Sequence, residues 1–144
     1  MNTLTRRSFL KNSGAIAGAR WAAAALPATT RAAPAGANGA IRIAIIGLGI
    51  MGHGHLKRLS ARKDVRVVAL CDLDNSATAR AMKEAESNLI APFTCTDARE
   101  IMTRPDVDAI VIASGNHWHA LQTVWGCQAG KDVYVEKPMT HTVW

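Results

Sequence analysis

The stretch IRIAIIGLGIMG, Ile41 to Gly52, decides how this chain folds. Its opening, IRIAIIG, is short, β-branched and almost wholly apolar, the pattern of a strand covered on both faces. GLGIMG follows, and each glycine in it has a physical task. Gly47 allows a tight turn, Gly49 lets a bulky ligand approach the backbone, and Gly52 lets a helix pack closely on the strand. Leu56 and Leu59, at helical spacing, extend that helix over about Met51 to Ala61. Free N–H groups and the helix dipole at its start favour an anion such as a pyrophosphate. A plain strand–helix turn is the alternative, so the loop alone decides nothing.

Downstream, VRVVALCD is a second apolar run closed by Asp72, and NSATARAMKEAESNL brings Ala77, Ala81, Met82 and Ala85 to helical spacing. Asp72 lies about 20 residues beyond the last glycine, where a carboxylate accepts hydrogen bonds from an adenine ribose and repels a 2′-phosphate. Leu73 and Asp74 follow it, with no arginine to reverse that preference, so NAD is expected and NADP is disfavoured. A helix cap or a solvated loop acid is the plainer alternative for Asp72.

FTCT then reads as a short strand, DAREIMTR as a short helix capped by Asp97, and VDAIVIAS as a third full strand. HALQTVWGCQAG reads as a helix closed by Gly130, and DVYVE as a last strand. Strands and helices that alternate in this way predict an α/β fold, a Rossmann-type doubly wound parallel sheet, because every parallel connection needs a crossover. Such sheets bind ligands at the carboxyl ends of their strands, where SGNHWH (Ser114 to His119) and VEKPM (Val135 to Met139) fall. Asn116 is expected to be a turn residue whose amide also reaches the ligand. No metal site is expected, since His117 and His119 diverge on a helix and no cysteine or acid completes a ligand set. His53 and His55 are expected to be packing or surface residues, or to touch a cofactor before any metal.

The formal charge of +6 suggests nucleic acid until the amino terminus is considered separately. Arg6, Arg7, Lys11, Arg20 and Arg31 all lie within residues 1–37, which hold no acid, so residues 38–144 are nearly neutral. Nucleic-acid binding therefore has no footprint. TRRSFLK, followed by an Ala-rich run too short to span a bilayer, has the layout of a twin-arginine export signal, with processing after Ala32 or Ala37. A periplasmic or secreted protein without stable membrane insertion is expected. Cys71, Cys95 and Cys127 lack any CxxC spacing and read as small buried apolar residues.

GLGIMG, Asp72, DVDAIVIAS, NHWH and EKP, in this order from Ile41 to Trp144, resemble the Gfo/Idh/MocA oxidoreductases, whose exported members commonly carry a twin-arginine leader. The resemblance implies that Gly47, Gly49, Met51, Gly52 and Asp72 hold the adenosine and pyrophosphate of NAD. Asn116 and His119 would lie near the cofactor, and Glu136 and Lys137 would flank the nicotinamide. Lys137 would be the catalytic residue, reaching a substrate hydroxyl to position or deprotonate it, and Pro138 would shape the turn, often after a cis peptide. An ordinary surface ion pair is the alternative for Glu136 and Lys137. Ser114-Gly115 departs from the family's usual Thr-Pro.

The expected domain organisation is a signal and linker over 1–37 and an NAD(P)-binding domain over 41–144. A second α/β substrate domain would be absent from this chain, and a homo-oligomer would form through it. The expected activity is hydride transfer between a sugar or polyol hydroxyl carbon and NAD. Two alternatives are an NAD-dependent glycoside hydrolase working by oxidation, elimination and re-reduction, and an inactive nucleotide-binding module.

Overall fold

The computed structural model describes residues 39–85 and 91–140. The expected leader and its processing sites, with His141 and Trp144, lie outside the described residues. Five strands form one sheet: β1 (Ile41–Ile46), β2 (Val65–Cys71), β3 (Phe93–Cys95), β4 (Ala109–Ile112) and β5 (Asp132–Val135). Their order is β3-β2-β1-β4-β5, and every pairing is parallel. Four helices supply the crossovers: α1 (Ile50–Ser60), α2 (Asn75–Ala85), α3 (Ala98–Met102) and α4 (Asn116–Gln128).

Alternation along β1 sends Ile43 and Ile45 to one face and Ala44 and Ile46 to the other. On the first face they pack with Leu56 of α1 and with Ala77 and Ala81 of α2. On the second, Ile101 of α3 closes over Ala44, Ile46, Ile110 and Ile112. The sheet is therefore doubly wound, as the two-sided apolar strands predicted. Strand order reverses direction between β1 and β4, the crevice where such folds take ligands.

One irregularity is not visible in the sequence. Ile43 pairs with Val67 but Ala44 pairs with Ala69, so Val68 is an extra residue, a β-bulge. The bulge shifts the phase of β2: Val67 and Leu70 share the face of α1 and α2, while Val68, Ala69 and Cys71 take the other.

Two elements start elsewhere than expected. Helix α4 begins at Asn116 rather than His119, because Gly115 takes the extended N-cap conformation and its carbonyl accepts from the Trp118 amide at 2.9 Å. Asn116 is thus the first helical residue instead of a turn residue. Strand β4 starts only at Ala109, because Asp108 is engaged by Arg42. Gly130, at φ +69°, closes α4 as predicted. Asp97 caps α3 by accepting from the Arg99 amide. Cys71 is buried and Cys95 half-buried, but Cys127 is exposed on α4, contrary to the expectation of three buried thiols.

At the amino-terminal edge of the sheet Arg42 donates to Asp108 from its backbone N–H (2.9 Å), Nε (3.0 Å) and Nη2 (2.7 Å), tying the start of β1 to the entry of β4. The hydrogen bonds from Arg42 hold the Asp108 carboxyl below the usual carboxylate range. A lowered folded-state value stabilises the fold above the unfolded value and is lost as pH falls through the folded one. Asp108→Ala should cost about 1–2 kcal/mol in urea unfolding at neutral pH. That deficit should shrink below the normal titration range of aspartate, which parallel unfolding curves at neutral and acid pH would check.

Candidate cofactor-binding and catalytic site

Because all five strands run the same way, the loops after β1, β2, β4 and β5 lie along one edge. Gly47 has φ +88°, and a Cβ there would run into the backbone of Ala113 and Ser114. Only glycine lets the two loops on either side of the switch point close to this distance. A Cβ on Gly52 would meet the Gly47 carbonyl, so the third glycine sets the approach of α1 to the strand end. At Gly49 a Cβ would meet no protein atom, leaving the surface open to an outside group.

Helix α1 has no side-chain cap at Gly49 and no acid in its first turn. Its first amides, with those of Ile50, Met51 and Gly52 among them, therefore lack intrahelical partners and suit a phosphate. Met51 is half exposed and Ile50 almost fully exposed at this end. Asp72 is brought to the same loop: its Oδ2 accepts from the Leu48 amide at 2.6 Å and its Oδ1 from the Asp74 amide at 2.8 Å. A carboxylate has about four acceptor positions, so two amides leave capacity for further donors such as ribose hydroxyls. The chain's residues thus fit a dinucleotide on the geometry of the cradle itself.

Across the switch point, Ser114 Oγ donates to Gln122 at 2.6 Å. Gly115 has φ −64°, the value a proline ring would impose, so the departure from Thr-Pro leaves the local backbone where a proline would put it. Asn116, His117 and Trp118 are exposed in the first turn of α4, and His117 leans on Trp118 with ring centroids 5.8 Å apart. His119, expected near the cofactor, is 1% exposed. Its Nδ1 lies 2.8 Å from the Pro138 carbonyl and its Nε2 3.0 Å from that of Ser114, so its ring faces protein backbone on both sides.

The two charges of EKP part company. Lys137 is exposed, and the Lys137–Pro138 peptide is cis. Glu136 turns instead to α1, where its Oε1 lies 2.6 Å from His55 Nε2, and the alternative of a surface ion pair between Glu136 and Lys137 is not among the ion pairs of the described residues. Arg58 lies 3.2 Å from His55 Nδ1. A guanidinium can only donate, so Nδ1 accepts and Nε2 carries the proton given to Glu136. Tyr134 meets the His55 ring edge-on at 5.3 Å. The sequence reading of His55, a packing or surface residue or one that touches a cofactor, does not include its tie to Glu136. The available signal was its position three residues past Gly52, about one helical turn along from the loop. Among the described residues no three His, Cys, Asp or Glu side chains converge as a metal site would require. No helix there is long and apolar enough to cross a membrane.

Residues 41–144 match the model of the Gfo/Idh/MocA family, described as an oxidoreductase family with an NAD-binding Rossmann fold. The chain belongs to this family. Among Gfo/Idh/MocA relatives, it is 34% identical to a glycosyl hydrolase family 109 protein of Shewanella sp. (strain ANA-3), covering 99% of this chain and 35% of that protein. It is 36% identical to the inositol 2-dehydrogenase of Gluconacetobacter diazotrophicus, over 67% of this chain and 28% of that one. The structure of myo-inositol dehydrogenase from Lactobacillus casei, in complex with NAD(H) and myo-inositol, superposes with a TM-score of 0.66 at 27% identity, covering 72% of this chain and 30% of that one. The chain thus spans about a third of the length of the Gfo/Idh/MocA relatives it matches.

The His55 hydrogen bond is the largest cause that holds the Glu136 carboxyl below the usual glutamate range, with smaller contributions from the Lys137 backbone amide and, last, the charge of Arg58. The tether is therefore present above that range and lost as pH falls through the lowered value. Carboxyl-carbon NMR should place the Glu136 midpoint below that of glutamate in a peptide, and His55→Ala should return it upward. An unchanged midpoint in the variant would show that His55 does not set it.

Proposed function

We propose that this protein is the cofactor-binding part of an exported, NAD-dependent oxidoreductase that moves hydride between a sugar or polyol hydroxyl carbon and the nicotinamide. The observation that carries the reading is the convergence of the open glycine cradle, Asp72 and the exposed Lys137 on one edge of the sheet. The family, the NAD(H) and myo-inositol named for the Lactobacillus structure, and the inositol 2-dehydrogenase relative support it.

Bound NAD supplies the hydride acceptor. The chain's own residues do the rest of the work assigned to this half of the site. The glycine loop receives the pyrophosphate, and Asp72 accepts from the adenine ribose while its charge repels a 2′-phosphate, favouring NAD over NADP. Lys137 reaches the substrate hydroxyl and positions it or takes its proton, which must leave as the adjacent C–H is broken. Met51 and Asn116 line the approach to the loop ends. Residues beyond those present here would complete the substrate site, and a homo-oligomer would form through them. Export rests on the paired arginines of the leader.

A second reading has its own support in the glycosyl hydrolase family 109 relative, whose similarity runs over 99% of the chain. In that reading the same half-site serves a glycosidase with no net consumption of NAD. Accumulation of NADH from a free polyol supports the dehydrogenase, whereas release of an aglycone at constant NAD supports the hydrolase.

In the full-length enzyme Lys137→Met should lower kcat by about 10²–10⁴ with NAD affinity retained. Retention of kcat would remove Lys137 from the reaction. Asp72→Ala should weaken NAD and relax the rejection of NADP in paired calorimetric titrations, and unchanged selectivity would show that the acid has another task. Residues 41–144 alone should bind NAD without turning over substrate, and steady turnover by that segment would show that the half-site is sufficient.

A further inference from the structure

We infer that His55 and His119 act as a two-sided clamp that aims Lys137, gripping the residues before and after it from opposite faces of the sheet. The inference rests on the reading of Lys137 as the proton-handling group, and it adds two positioning residues to that reading. Neither histidine is placed against a substrate or cofactor atom, so neither is a catalytic residue.

The clamp is visible bond by bond. Ahead of Lys137, the Glu136 amide donates to the Ile112 carbonyl at 2.9 Å, continuing the β4–β5 ladder, and the Glu136 carboxylate accepts from His55 at 2.6 Å. Behind it, the Pro138 carbonyl lies 2.8 Å from His119 Nδ1. His55 comes from α1, which packs on one face of the sheet, and His119 from α4, which spans β4 and β5 on the other. Both rings are buried, at 9% and 1% exposure. Their hydrogen bonds are part-buried, so losing one leaves a partner that is only partly reached by water.

Each histidine also has a second anchor. Arg58, one turn further along α1, donates to His55 Nδ1. His119 Nε2 faces the carbonyl of Ser114, the residue whose backbone abuts Gly47. A neutral imidazole has a single N–H, so it donates to one of the two carbonyls at a time, and a second proton would let it donate to both. The glycine loop that would seat the cofactor is thereby linked to the loop that carries Lys137 through α1, His55 and Glu136, and His119, packed between the carbonyls of Ser114 and Pro138, adds a second contact between the same loops. With both neighbours fixed, the Lys137 side chain retains its rotamers but not a free backbone. Such fixing matters because a misplacement of about 1 Å can cost a reaction up to about 100-fold.

The test uses the full-length enzyme with four variants: His55→Ala, His55→Gln, His119→Ala and His119→Asn. Each alanine variant should lose up to about 100-fold in kcat with NAD affinity retained by calorimetry. Hydrogen–deuterium exchange should rise at the amides of Lys137, Met139 and Thr140. His55→Gln and His119→Asn keep an N–H donor and should recover much of the loss. A purely structural role would instead depress NAD binding and soluble yield together, with normal kcat in the NAD-bound fraction, and would overturn the inference. Full kcat with unchanged exchange in both alanine variants would overturn it too. Should His119→Ala fail to fold, His119→Asn and the two His55 variants still decide the matter. Activity surviving in Lys137→Met would defeat the reading of the lysine, whereas the exchange measurement reports on the clamp independently of it.

Discussion

The close approach of Gly47 to the backbone of Ala113 and Ser114 is the constraint on which the site depends. β1 lies between β2 and β4, so the loop leaving it must clear the loop leaving β4 before α1 can turn back over the sheet. Any Cβ at position 47 would separate those loops, and its positive φ would add strain to the clash. Gly52 repeats the demand from the other side, since its own missing Cβ lets α1 rest against the Gly47 carbonyl. From this contact follow the position of the helix amino terminus, the reach of the Leu48 amide to Asp72, and the placement of Ser114 where His119 can hold its carbonyl.

The parts of this arrangement that the sequence disclosed are those written in local patterns. Apolar runs ending in glycine or an acid, with helical spacing between them, specify parallel strands and crossovers without knowledge of tertiary contacts. Asp72 was legible because a strand end and a spacing fixed it. What stayed hidden depends on register or on partners distant in sequence. The bulge at Val68 leaves VRVVALC looking like any buried strand, because every residue in the run is compatible with either face except Arg66. His55 and Glu136 are 81 residues apart, and nothing in either segment names the other. The resemblance implies a place near the cofactor for His119, and the contacts that bury it come from the loop containing Pro138, which no local pattern around His119 names.

Those hidden contacts change how EKP works. Glu136 and Lys137 are adjacent, and consecutive residues leaving a strand point to opposite sides. The chain uses that geometry to send the acid inward to His55 while the base faces out. Tying Glu136 to α1 therefore anchors the loop that carries Lys137.

Similarity to both a glycosyl hydrolase family 109 protein and an inositol 2-dehydrogenase is compatible with one such edge. In the proposed chemistry each reaction begins with the same demand, a proton taken from a hydroxyl while a hydride leaves the carbon that bears it. On that proposal the glycine cradle, Asp72 and Lys137 would meet the demand without reference to what happens to the oxidised sugar afterwards. The proposed cofactor half would then be chemically permissive. Specificity between the two outcomes has to be imposed by whatever surface meets Lys137 across the substrate.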